Sequence, residues 1–516
     1  MKKSFLLYCC FAAVVVSAQT NTEPAQKFAD LITPQGLKEK LSVIASAEME
    51  GRETATPGQK RAAAYITEQF KKFGLKPGNG QSYEQYYPVY QDELTEKKLQ
   101  VNGTVFEWDK DFIFSLNSIP NIDTTYNNIV FAGFGMDDAA NKINDYANLN
   151  VKNKIVLVLD GVPDNYTAPV QQGRRGFGGP GSAFAKASTA RTKGAAGIFI
   201  ISKDFPKINA TSTKGNMSLN KSTSSSSFIT ATVSENIAFL LLGRTAKLSL
   251  TQIKEIPKGD YVSEIKINAT KATADLQSSN VLGVLPGTDK GDEYVFLTGH
   301  YDHLGKKGDV IWYGADDDGS GTTSVLQMAE AFSTAARKGF KPRRTIVFMT
   351  VSGEEKGLWG SQYYSEHPIY PLEKTSVDLN TDMDGRVDTE RKTPDTLNYI
   401  YVIGHDKLSS ELPVINEGVN NKYTKLTLDY RFDDPKDPNM IYYRSDHYNF
   451  ARKGVPILFF YDGMLKADYH QPTDTVDKIN FELMAKRAQL VFYTAWEMAN
   501  RDNMLKRDTP LNMPAR

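Results

Sequence analysis

From Ser279 onward the chain alternates short apolar strands with helical stretches, and four of the strands lead into an acid or a histidine. The strands cover residues 294–298, 345–351, 376–380 and 456–460. Between the first two lies an amphipathic helix, 322–337, with Val325, Met328, Ala329 and Phe332 on one face, and a further helix spans 481–500. Apolar strands alternating with helices predict an α/β fold, a mostly parallel (mixed) sheet sandwiched by helices. Open sheets of this kind bind ligands beyond the carboxyl ends of their strands. His300 and Asp302 follow the first strand, Glu354 and Glu355 the second, Asp382 the third, and His470 comes ten residues after the fourth. The segment 314–321, with Asp316, Asp317 and Asp318, precedes the amphipathic helix. All these groups are expected at one edge.

Carboxylates gathered at one edge repel one another, and burying them unpaired costs several kcal/mol. Bound cations remove that cost. Imidazole and carboxylate donors without a thiol suit zinc, with manganese or cobalt as second choices. One carboxylate can bridge two cations through its two oxygens, and two cations together acidify water and polarise a carbonyl. A further carboxylate must stay free to take the proton. Neighbouring Glu354 and Glu355 can divide those tasks, since their side chains point in different directions. Each fragment alone has a plainer reading. Asp316–Asp318 could be a calcium loop, although it lacks the later bidentate Glu, and a Glu pair is usually a solvated face. The signal is their joint order and placement; of six histidines, His300 and His470 fall in such segments.

The rest of the chain narrows the function classes. Lys+Arg and Asp+Glu both number 61, so no basic excess points to nucleic acid. Lys2 and Lys3, an apolar run over 5–16 and small residues at 16–18 read as a secretory signal peptide, too short to span a bilayer. Both cysteines, Cys9 and Cys10, lie inside it, so the processed chain is expected to need neither disulfide nor thiol, to have no membrane span, and to be periplasmic or secreted. Residues from about 35 to 75 are expected to be helical, with a run that starts at Gly58 and stops at Gly74, and strands are expected at 128–131, 155–159 and 195–201. The Ser/Thr-rich stretch 211–227 reads as an exposed loop. The loop 176–181 formally matches a dinucleotide fingerprint, but it does not follow a strand directly and Pro180 removes a donor, so no dinucleotide is expected.

Taken together, the motifs in 299–305, 314–321, 352–355, 382–385 and 468–475 resemble the co-catalytic zinc aminopeptidases, whose relatives include glutamate carboxypeptidase, glutaminyl cyclase and the transferrin receptor. The resemblance covers Ser279 to about Asn500, with an N-terminal part from Met49-Glu50-Gly51-Arg52 to Pro77. It implies two zinc ions per chain. His300, Asp317 and Asp382 would hold one; Asp317 as the bridge, Glu355 and His470 would hold the other. Glu354 would be the general base and later the acid for the leaving amine, and Asp302 a carboxylate orienting His300. A cis peptide is implied at Asp317–Asp318. Asp384 and Gly385 depart from the family pattern, in which an apolar residue is commoner. Ser445-Asp446-His447 is assigned a structural or pocket role, His303 an orienting or structural one, and Tyr442 and Tyr443 are candidates for polarising the substrate carbonyl. The stretch from Asn128 to about Ser202 resembles a β-rich protease-associated domain without catalytic groups. The implied layout is signal peptide 1–18, N-terminal peptidase part 19–112, insert 113–272, main peptidase part 273–505 and tail 506–516. The implied activity is a secreted aminopeptidase acting on peptides by metal-bound hydroxide. The alternatives are a glutaminyl cyclase, a carboxypeptidase (Arg444 leaves that open), or, with ligands lost, a binding protein; the five ligand positions and Glu354 all stand here. Oligomeric state is left open.

Overall fold

The computed structural model describes residues 23–514 except 165, 168–178, 222–227 and 247. The expected signal peptide, both cysteines and residues 176–178 of the 176–181 loop lie outside the described residues. The described residues divide into two compact units, one formed by those up to 85 and from 279 onward and the other by those between 86 and 278.

In the first unit, four strands run parallel side by side, in the order Ile457–Tyr461, Thr375–Thr381, Lys290–His300, Arg344–Val351. Beyond Arg344–Val351, residues 281–285 pair antiparallel. On the opposite flank Tyr399–Ile403 pairs antiparallel with Ile457–Tyr461, and Thr427–Asp429 parallel with Tyr399–Ile403. Strand side chains alternate between two cores, as a sheet covered on both faces requires. Val295, Leu297, Ile346 and Phe348 enter the core built with helices Gly321–Arg337 and Phe481–Asn500. Phe296, Val347 and Met349 enter the core on the other face, with Tyr364 and Phe450.

N-terminal helices complete the first core. Pro34–Ile44 begins with Pro at its first turn and Thr33 accepting the Gly36 N–H. Pro57–Phe73 stops at Gly74, whose φ of 83° gives a left-handed cap. The helical region expected over 35–75, with its run from Gly58 to Gly74, forms two helices separated by the turn Ala47–Arg52. Among the described residues no helix is long and apolar enough to cross a membrane.

The second unit is also built on parallel strands. Strands Ile122–Phe131, Ile155–Leu159, Gly197–Ile201 and Ile229–Val233 are parallel neighbours. Phe112–Phe114 pairs antiparallel at one side and residues 259–269 at the other. Its core takes in Leu94, Leu99 and Val101. That packing is why the unit begins at Tyr86 and not at 113, the start expected for the insert, and it closes at Ser278. Residues 214–218, expected in a loop, form a strand, Lys214–Ser218, because Tyr90, Gln91 and Glu93 supply an antiparallel partner that Ser/Thr-rich composition does not reveal.

Leu297 is fully buried. Leu297→Ala is expected to destabilise the first unit by about 2–5 kcal/mol, read as a lowered denaturant midpoint. An unchanged midpoint would show that this layer is not close-packed.

Candidate functional site

The parallel strands deliver their carboxyl ends together. His300 is the last residue of Lys290–His300, Asp382 directly follows Thr375–Thr381, and Glu354 and Glu355 come just after Arg344–Val351. Asp317 lies in the turn Ala315–Ser320 before helix Gly321–Arg337, with a cis peptide to Asp318. His470 sits beyond Ile457–Tyr461 at a left-handed φ of 57°, a conformation uncommon for a side-chain-bearing residue and often found at functional positions.

The seven predicted residues meet. His300 Nε2 lies 3.3 Å from Asp317 Oδ1, 3.5 Å from Asp382 Oδ1 and 3.8 Å from Glu354 Oε2. His470 Nε2 lies 3.0 Å from Asp317 Oδ2 and 3.2 Å from Glu355 Oε2. Asp317 thus turns one oxygen toward each set. His300 Nε2 and Asp317 Oδ2 are buried and make no hydrogen bond. Unpartnered nitrogen and oxygen atoms facing one another across such gaps, with no sulfur among them, fit divalent-cation binding. Two groups here have the spacing to hold an ion, His300 with Asp317 and Asp382, and His303 with Asp317 and Glu355.

Without cations, protons take over the compensation. Burial lowers the His300 imidazole, but Asp382 and Glu354 overcome it and hold the ring well above its ordinary value. His470 is likewise lowered by burial and raised more by Asp317 and Glu355, to about 10. Burial, with Glu355 and Asp382 adding to it, pushes Glu354 up. Burial also pushes Glu355 upward, yet its contacts with His303 and His470 leave it at about 2.

Asp302 ties the cluster to its supports. Its main-chain oxygen lies 3.1 Å from His300 Nδ1, with the carboxylate at 3.7 Å. The carboxylate instead accepts the Thr54 hydroxyl at 2.7 Å and the Glu354 main-chain N–H at 3.2 Å. It therefore links the His300 loop to the general-base candidate. The other aspartates of the triplet serve the backbone. Asp318 accepts N–H groups from His300, Gly321 and Met383; Asp316 accepts from Gly385.

Phe459 and Tyr469 were not singled out from sequence. Beside Asp317, Glu354 and Asp382 opens a cavity also lined by Phe459, Arg444 and Tyr469. Arg444 Nη2 donates to the Tyr469 hydroxyl at 2.9 Å. Tyr442 and Tyr443, the expected carbonyl-polarising candidates, do not line it. Tyr442 is buried against His447, and Tyr443 donates to the Pro514 carbonyl. The signal for Tyr469 was its place immediately before His470. Ser445 and Asp446 are structural, bonded to Asn380 and Ser361 respectively.

Arg52 is fully buried. It donates Nε to the Tyr301 carbonyl at 2.7 Å, Nη1 to Ile44 and Tyr313, and Nη2 to Gly314. Burial lowers its pKa, opposed first by Asp302 and Asp318. One guanidinium thus pins the loop after His300 to the turn that carries Asp317. Arg52→Met leaves these carbonyls unpaired and is expected to cost about 3–5 kcal/mol, read as a lower melting temperature together with weaker cation uptake. Wild-type values for both would remove Arg52 from this role.

Residues 280–495 match the family model described as Peptidase family M28. Among curated relatives, a probable leucine aminopeptidase of Trichophyton verrucosum is 29% identical over 232 residues, which is 44% of this chain and 59% of that protein. The chain spans 59–60% of the length of the first relatives it matches. The fold is that of an aminopeptidase from Aneurinibacillus sp. strain AM-1, with TM-score 0.52 and 20% identity over 95% of this chain and 100% of that one. A zinc aminopeptidase from Bacillus subtilis aligns with TM-score 0.52 and 18% identity, over 93% and 99%. The strand-end donors lie within the segment that matches that family model.

Proposed function

We propose that the protein is a secreted two-zinc exopeptidase that removes N-terminal residues from peptides. The observation that carries this reading is the double aim of Asp317, one oxygen toward His300 and the other toward His470. His300, Asp317 and Asp382 would hold one zinc, and Asp317, Glu355 and His470 the other. Bound there, the two ions would lower the pKa of a water and polarise the scissile carbonyl.

The protein's own groups supply the remaining steps. Glu354 stands close to the first set without being needed as a ligand. Its carboxylate accepts the proton of the attacking water at an oxygen and returns it to the leaving amine. Its placement is held by the Asp302 carboxylate on its main-chain N–H. Tyr469 has its hydroxyl oxygen already engaged by Arg444, so its own O–H is free to donate to the substrate carbonyl. Phe459 and the neighbouring apolar side chains of the cavity receive the substrate side chain. The names of the relatives, several of them aminopeptidases, favour attack at the amino end. Secretion rests on the Lys2, Lys3 and apolar 5–16 pattern.

Zinc-loaded protein incubated with a mixed peptide library is expected to shorten peptides from the amino end and to leave N-acetylated peptides intact. Glu354→Gln should retain zinc and lose about 10²–10⁴-fold in turnover. Shortening of N-acetylated peptides from the carboxyl end, or cyclisation of N-terminal glutamine, would replace the aminopeptidase reading. A Glu354→Gln variant with near wild-type turnover would remove the proposed base.

A further inference from the structure

His303 lies outside the ligand set, yet it is completely buried beside it. Its Nδ1 is 2.7 Å from Glu355 Oε1, an ion-pair contact that lies off hydrogen-bond geometry. The other oxygen of the same carboxylate, Oε2, is the one near His470 Nε2. Glu355 therefore divides its two oxygens between an imidazole behind it and the cation position in front. The His303 ring is held from several sides. Its main-chain N–H donates to the Arg52 carbonyl at 3.3 Å. Gly314, at φ +56°, clears the ring face, since a Cβ there would fall 2.5 Å from the ring. Such tight packing leaves the imidazole little freedom to swing away.

We propose that His303 is a positioning residue for the second zinc. By holding Oε1 it commits Glu355 to present Oε2 alone, at a fixed angle, to the ion shared with Asp317 and His470. A glutamate with both oxygens free could chelate the ion or rotate off it. A partner on the far oxygen removes those alternatives and keeps the ligand charged. This rests on the two-zinc reading above and adds to it a residue specific to the second ion.

An alternative geometry is present in the same atoms. His303, Asp317 and Glu355 each offer a donor within 4.8 Å of the others, so His303 could itself be a ligand. The distinction is testable. Metal-free full-length protein would be titrated with zinc against a chromophoric chelator, giving separate affinities for the two ions. His303→Ala is expected to weaken the second ion about ten- to hundredfold and to leave the first within about twofold. His303→Asn keeps an N–H near the Nδ1 position and should recover most of the lost affinity, while both variants, each removing a buried ring, lower the melting temperature of the metal-free protein to a similar extent. An unchanged second affinity in His303→Ala would overturn the proposal. So would equal weakening of both ions, or an Asn variant no better than Ala, which would make His303 a ligand. Wild-type protein that takes up fewer than two zinc ions would instead defeat the two-zinc reading itself.

Discussion

Buried negative charge is the constraint around which the first unit is arranged. Asp317, Asp382, Glu354 and Glu355 stand within a few ångströms of His300 and His470. No lysine or arginine forms an ion pair with these four carboxylates among the described residues. Carboxylates so placed are tolerated only when something positive sits among them. Protonated imidazoles serve in the metal-free molecule, and divalent cations are better matched to the orphaned Nε2 and Oδ2 atoms. On the proposed two-zinc reading, the same compensation would make the cluster reactive, because it would leave Glu354 beside the ions with no ligand duty.

The surrounding framework reads as machinery for holding that cluster in place. Parallel strands bring three of the donors to one edge. Arg52, Asp318 and Asp474 then tie the connecting loops by main-chain hydrogen bonds: Arg52 to carbonyls around 301 and 313–314, Asp318 to N–H groups at 300, 321 and 383, and Asp474 to those of Asp316 and Asp317. Each tie joins segments distant in sequence. Together they fix positions that a single strand end could not, since loops beyond strand ends are otherwise the more mobile parts of a fold.

Much of this was legible because it depends on local pattern. Apolar periodicity located the parallel strands, and a histidine or acid at the end of each is a property of residue type alone. The triplet Asp316–Asp318 shows where legibility stops. Three identical side chains in a row do different work, one facing the donors and two satisfying backbone N–H groups, and only the course of the backbone decides which does which. The same holds for Tyr469 against Tyr442 and Tyr443, for the start of the second unit at Tyr86, and for the strand Lys214–Ser218. Each depends on a partner far along the chain. His303 is a related case: in sequence it is a neighbour of His300 and Asp302, and its closeness to Glu355 emerges only when two strand ends are brought side by side.

The central claim, that Asp317 serves two ions at once, is tested most directly by counting bound zinc at equilibrium in wild-type protein and in two carboxylate variants. Dialysis against buffered zinc followed by elemental analysis should find two ions in the wild type, one in Asp382→Ala and none held tightly in Asp317→Ala. Two tightly held ions in Asp317→Ala, or a single one in the wild type, would contradict the account.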